Sequence, residues 1–373
     1  MQNRGRQIVK AGLLWLFCAF LFVLPNTANA QQTTEKWGVA YKAIGGYVWA
    51  HTGQVTNLKA HVYGYSIGFR YKTANNKQWQ RLLNSPAWGV DYLYLNYGRP
   101  DILGAAHAVL PYIDFPMFRY KKWTLYLKTS AGLGYITKPF NENTNITNRT
   151  IGSHINAHMG LYWDFSYGIN NNTDFLISGG ITHFSNGNFN KPNLGVNTPN
   201  LSIGFTHYWG KKEITTPLPD DMDTAKHEYR FTVATGKKNA DYVFPKTIIP
   251  INIQFKYLYA LSPKNKIGGG IDYFYDREYY YLNNRNKDIK KTPIDEASEL
   301  GIKVSHELQG KRLGLISDLG FYLFNKNSFK GNFYQRLGFT YKANRKISVF
   351  TALKFHIKSA DYFEFGVNYS VFK

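Results

Sequence analysis

The chain has 373 residues, with 45 Lys and Arg against 24 Asp and Glu, and it carries 29 Tyr, 26 Phe and 8 Trp but one cysteine. That cysteine, Cys18, lies in the first thirty residues, so the remainder can hold no disulfide, thiol nucleophile or cysteine-based metal site. The net charge of +21 is spread through turns and strand ends and forms no basic block, which argues against a nucleic-acid partner.

The opening segment, "MQNRGRQIVKAGLLWLFCAFLFVLPNTANAQQ", reads as an export signal. Arg4, Arg6 and Lys10 form a positive n-region, Ala11 to Leu24 an apolar core, and Ala28-Asn29-Ala30 a small-x-small cleavage site, so residues 1–30 are expected to be removed after Ala30. A retained membrane anchor is the alternative, but the apolar run is short for a spanning helix. Phe17 stands before Cys18 where a lipoprotein signal would need a small residue. Cleavage would leave about 343 residues and lower the charge from +21 to about +18. Past residue 30 no stretch nears the ~18 consecutive apolar residues of a spanning helix. An exported, aromatic-rich chain without such runs points to a transmembrane β-barrel, with a water-soluble β-sandwich as the competitor.

Alternation decides between them. In "HVYGYSIGFRY", Tyr63, Tyr65, Ile67, Phe69 and Tyr71 share one face, and Gly64, Ser66, Gly68 and Arg70 the other. An aromatic face opposite a small, polar one is the pattern of lipid outside and lumen inside. "DYLYLNYG", "WTLYLKTSAGLGY", "LSIGFTHYWG", "EYRFTVATG" and "KIGGGIDYFYD" are also strand-like. The chain ends in "YFEFGVNYSVFK", which resembles the C-terminal assembly signal of bacterial outer-membrane barrels. Roughly eight strand-like segments lie between Trp37 and Gly210, and roughly eight more between Glu228 and Phe372. A charged, Pro-containing connector, "KKEITTPLPDDMDTAKH" at 211–227, separates them. The expected architecture is all-β: one transmembrane antiparallel barrel of about 14–16 strands, with two barrels of about eight strands in tandem as the runner-up. The expected divisions are a leader at 1–30, a barrel portion with a site at 31–210, the connector, and further strands at 228–373.

Metal and cofactor signals are weak. His154 and His158 are four apart on an alternating segment, where four residues span ~13 Å, too far to share one ion. "DDMD" lacks the rest of a calcium loop. No dinucleotide or phosphate-cradling fingerprint follows a strand, so neither a metal nor a cofactor is expected.

The chemistry-bearing stretch is "DFLISGGITHFSNGNFNKPNLGVN". His183 and Ser185 sit two apart and so on one side of a strand, together with Phe175, Ile177 and Ile181, which is the more apolar face. Counting strands from a periplasmic start makes this the seventh, running outward, so the pair falls at the outer rim beside the outer leaflet. A serine hydroxyl becomes nucleophilic when a base within hydrogen-bond reach takes its proton, and His183 can act so near neutrality. Asn186 and the backbone of Gly187 follow as donors for an oxyanion. On spacing alone, a polar strand end without chemistry is the better account of His-x-Ser, a pattern that arises often by chance.

"THFSNGNFNKPNLGVN" resembles the signature of the PagL-type lipid A deacylases, outer-membrane barrels that hydrolyse the ester-linked acyl chain at the 3-position of lipid A. The resemblance rests on His183-x-Ser185-Asn186 followed by Pro192-Asn193-x-Gly195, and extends over about residues 37–210, taking in "HAVLPYIDFP" and "AGLGYITKPF". It implies Ser185 as nucleophile, His183 as general base, Asn186 as an oxyanion donor, lipid A of lipopolysaccharide as substrate, the outer membrane as location, and no cofactor. Where the family has an acidic third member, this chain has Asn197. That leaves a working Ser-His-Asn site, an acid from elsewhere such as Asp164, Asp174 or Glu142, or a barrel that has kept the frame without the activity. A pore, a structural barrel and an outer-membrane phospholipase are the alternative functions. The oligomeric state is not legible.

Overall fold

The computed structural model describes residues 34–49, 58–74, 76–213, 225–240, 246–284, 292–310, 312–326, 331–356 and 359–373. The leader, its cleavage site and most of the connector lie outside these. Among the described residues no helix is long and apolar enough to cross a membrane. The chain is all-β and forms two compact units, each a closed antiparallel barrel of eight strands.

The first barrel comprises β1 (Thr34–Tyr47), β2 (His61–Lys72), β3 (Ala87–Asn96), β4 (Ala105–Tyr120), β5 (Trp123–Ile136), β6 (Ile155–Asn170), β7 (Thr173–Ser185) and β8 (Val196–Glu213). It closes because β1 pairs with β8, from Thr34↔Glu213 to Gly46↔Asn200. The second comprises β9 (His227–Gly236), then, after a small hairpin of β10 (Lys238–Asn239) and β11 (Thr247–Ile248), β12 (Ile251–Ala260), β13 (Asn265–Tyr275), β14 (Ser298–Gln309), β15 (Leu313–Phe324), β16 (Phe333–Lys342), β17 (Ile347–His356) and β18 (Ser359–Phe372). It closes through β18 and β9. The single barrel of 14–16 strands is therefore corrected to the tandem arrangement. A larger barrel needs β8 to pair onward with β9, and its edge is already taken by β1.

In the first barrel the tightest connections, Lys121–Lys122 and Asn171–Asn172, lie at the end where the chain enters, while the opposite end carries the connections at 97–104, 137–154 and 186–195. Short turns on the periplasmic side and longer loops outside are the rule for such barrels. An exception is the 73–86 connection at the entry end, with its short helix, α1 (Gln78–Leu82). Aromatic rings mark both rims of the wall. Trp37, Tyr71 and Trp88 cluster at the entry end, and Tyr94 with His107 and Tyr135 with His154 towards the other. Between them the outer wall is apolar, as in Ile67, Phe69, Ile203 and Phe205, all exposed.

The interiors are filled with charge in pairs. In the first barrel Lys42 meets Asp164 at 2.6 Å, Lys128 meets Asp91 at 2.6 Å, and Arg70 meets Asp114 at 2.7 Å. A void of about 30 Å³ between Lys42, Asp91, Lys128 and Tyr162 has room for a water or two. In the second barrel Arg336 bridges Asp272, Asp318 and Glu364, and Lys303 and Lys256 join the same acids. An ion at membrane depth is tolerable only when paired, and these strands place cation and anion on facing inner walls.

Candidate active site

Strand parity turns the site outward. Thr182 and Phe184 are buried inside the first barrel, Phe184 with its ring 4.8 Å from that of His158, its cross-strand partner. His183 and Ser185 therefore point to the outer wall, in line with the exposed Ile177. The seventh strand ends at Ser185, at the rim away from the chain's entry.

The register sets the pair's partners. His183 lies directly across from Asn197 in the β7–β8 ladder, and its Nδ1–H donates to Asn197 Oδ1 at 2.7 Å. That bond places the proton on Nδ1 and leaves Nε2 as the basic nitrogen. Ser185, although on the outer wall, is only 4% exposed. Its Oγ accepts from Asn193 Nδ2 at 2.8 Å, and Asn193 Oδ1 in turn accepts the Asn186 backbone N–H at 3.0 Å. One amide thus ties the serine to the turn that follows it. Asn186 is buried, and its Nδ2 donates to Ser153 Oγ at 2.9 Å. Gly187 and Asn188 both take left-handed backbone angles, φ +60° and +63°, which lets the chain leave the strand in a tight turn.

Gly195 closes the arrangement. Its φ is +76°, and a Cβ there would stand 2.5 Å from His183 Cε1, so no other residue fits against the imidazole. Its N–H donates to Thr150 O at 2.9 Å, binding the β7–β8 loop to the β5–β6 loop. The wall beside the pair is apolar: Met159 is opposite His183, Ala157 is opposite Ser185, and Ile155 next along β6 is 62% exposed.

His183, Ser185, Asn186, Gly187 and Asn197 thus come together at one rim. Of the other acids considered, Asp164 is bound to Lys42 inside the barrel and Asp174 to Lys72, while Glu142 is exposed on the 137–154 loop. His158 is buried inside and His154 donates from Nδ1 to Ile136 O, so the two do not form a metal site. The contribution of Asn193 was visible in the sequence only as part of a motif. That of Ser153 had no sequence signal, because it lies 33 residues away on another loop. In the second unit Asp276, Glu278 and Asp361 lie within 4.8 Å of one another, but Lys238 donates to all three.

A closed eight-stranded barrel with an apolar outer wall and charges paired inside is the architecture of an integral membrane barrel, and here a histidine, a serine and three amides gather at one rim of it. Residues 63–206 match the family model described as lipid A 3-O-deacylase (PagL), and residues 227–373 match that of the acyloxyacyl hydrolase C-terminal domain. The two cover most of the chain, which belongs to the PagL lipid A deacylase family, hydrolases of the outer membrane. A search of curated proteins returned no match. Among solved structures, Neisserial surface protein A is 14% identical with a TM-score of 0.33, covering 48% of this chain and 100% of its own. The Acinetobacter baumannii protein OccAB4 is 11% identical with a TM-score of 0.24, over 93% of this chain and 100% of its own. The Pseudomonas putida toluene transporter TodX is 8% identical with a TM-score of 0.19, over 95% and 92%. At these values none bears on function.

Proposed function

We propose that the first barrel removes an ester-linked hydroxyacyl chain, that at the 3-position, from lipid A, by a Ser185–His183 mechanism. The observation that carries this reading is the His183–Asn197 hydrogen bond at 2.7 Å on the lipid-facing wall, with Ser185 two residues along the same face. It supplies a base with its proton fixed on the far nitrogen, beside a hydroxyl held in place.

In this mechanism lipid A lies in the outer leaflet with its acyl chain along Ile155, Ala157 and Met159. Ser185 Oγ attacks the ester carbonyl while His183 Nε2 takes the hydroxyl proton. The oxyanion forms within reach of Asn193 Nδ2, already 2.8 Å from Oγ, and of the turn at Asn186 and Gly187. Collapse expels the sugar hydroxyl, which receives the proton from His183, and leaves an acyl-serine. Water, deprotonated by His183, then releases the fatty acid and restores the serine. Asn197 keeps the imidazole in the productive tautomer throughout. The export signal would be removed after Ala30.

The test is mass spectrometry of lipid A from cells without deacylases of their own, expressing wild type or Ser185→Ala. Wild type should remove one hydroxyacyl chain, and Ser185→Ala none. Unchanged lipid A despite folded protein in the outer membrane would overturn the proposal.

A further inference from the structure

The loop that braces the candidate site also carries two exposed cations. Residues 137–154 join β5 to β6, and two buried or half-buried asparagines knit them together. Asn148 Nδ2 donates to Lys138 O at 2.7 Å and to Ile102 O at 3.2 Å, while Asn145 Nδ2 donates to Ile102 O and Pro139 O, both at 2.9 Å. Asn148 Oδ1 accepts from Thr150 N at 3.1 Å and Thr150 Oγ1 at 2.6 Å. Arg149 is thereby pinned on both sides. The residue before it is tied to Lys138, and the residue after it gives its carbonyl to Gly195, the glycine that packs on His183.

Lys138 and Arg149 are both exposed, and neither forms an ion pair among the described residues. Glu142 is the loop's one carboxylate and is exposed on its other arm. The nearest acid on the neighbouring loop, Asp101, is engaged by Arg99 at 2.7 Å, which holds its carboxyl down at about 2. His154 is occupied through Nδ1 with Ile136 O. Two exposed cations on a loop whose backbone is fixed at Lys138 O and at Thr150, the residue bonded to Gly195, suit an anion on the polar end of a lipid. A planar guanidinium takes phosphate oxygens in pairs, and an ammonium adds a point charge.

We propose that Lys138 and Arg149 form a clip for the phosphomonoester of a phosphorylated, acylated sugar, and that this clip sets which ester reaches Ser185. The inference rests on the deacylase reading and narrows it: the substrate is recognised by its headgroup phosphate as well as by its chains.

The test uses the full chain in detergent micelles, with lipid A bearing its phosphates and with the same lipid A after phosphatase treatment. The Lys138→Gln/Arg149→Gln variant should raise KM for the phosphorylated substrate roughly tenfold, the loss of about one charge-assisted contact, and leave kcat within about twofold. KM for the dephosphorylated substrate should be the same for variant and wild type, and high salt should erase the difference on the phosphorylated one. Equal shifts on both substrates, or none on either, would overturn the clip. If wild type cleaves neither substrate, the deacylase reading fails. Binding of fluorescent lipid A to Ser185→Ala, with and without the two glutamines, then still decides the clip, which requires about tenfold weaker binding of the phosphorylated form only.

Discussion

Exchanging Asn197 for aspartate changes one atom pair at the candidate site and isolates the charge that this chain lacks there. Asn197 Oδ1 accepts the His183 Nδ1–H at 2.7 Å, so aspartate can take the same position without moving the ring. Against a full imidazolium charge about 4 Å away, the carboxylate gains about 4 kcal/mol at an effective dielectric of 20, most of it offset by the carboxylate's own desolvation at a half-buried site. The difference between a neutral and a charge-assisted hydrogen bond, ~1–1.5 kcal/mol, is the better measure of what remains, and it corresponds to a rise in kcat of about five- to fifteenfold. Asn197→Leu removes the acceptor while keeping the volume, and the ring loses both its tautomer and its orientation. A fall of about 10²-fold or more is expected, bounded by the ~10⁴ that a mistaken tautomer costs serine triads in general. The assay is release of hydroxy fatty acid from lipid A in mixed micelles, at a pH where imidazole is neutral. If Asn197→Leu stays within about threefold of wild type, Asn197 does not orient the base. If Asn197→Asp is slower than wild type, the charge argument is wrong.

Two further outcomes follow from the packing. Gly195→Ala places a methyl 2.5 Å from His183 Cε1 and requires φ +76°, so activity should drop by about 10² or more while the barrel still folds, as read by its heat-modifiable migration on gels; unchanged activity would show that the imidazole can move away at no cost. Arg336→Met leaves Asp272, Asp318 and Glu364 facing one another inside the second barrel, and should destabilise that barrel by about 3–5 kcal/mol in urea titration, with Lys303 and Lys256 limiting the loss. An unshifted midpoint would mean that the network carries no net stability.

Much of this molecule is legible along the chain because a strand has a period of two. Tyr63, Ile67 and Phe69 against Ser66 and Arg70 already separate lipid from lumen, and the structure has the first set exposed and the second buried. The same parity put His183 and Ser185 on one face, and a count of strands put them at the end of the seventh strand, which is where the structure has them, at the rim away from the chain's entry. The PagL-type motif supplied the family. What the sequence could not say is which strand meets which. Strand pairing is made by backbone N–H and C=O groups, which are alike at every residue, so sixteen alternating segments fit one wide barrel as well as two narrow ones. Only the closure of β1 on β8 and of β9 on β18 decides it. For the same reason Asn197 could be placed only as a motif position until the β7–β8 register set it opposite His183, and Ser153 could not be placed at all. The lumen charges follow this rule too. Parity turns Lys42 and Asp164 inward, but their meeting at 2.6 Å across 122 residues exists only once the sheet has curled shut.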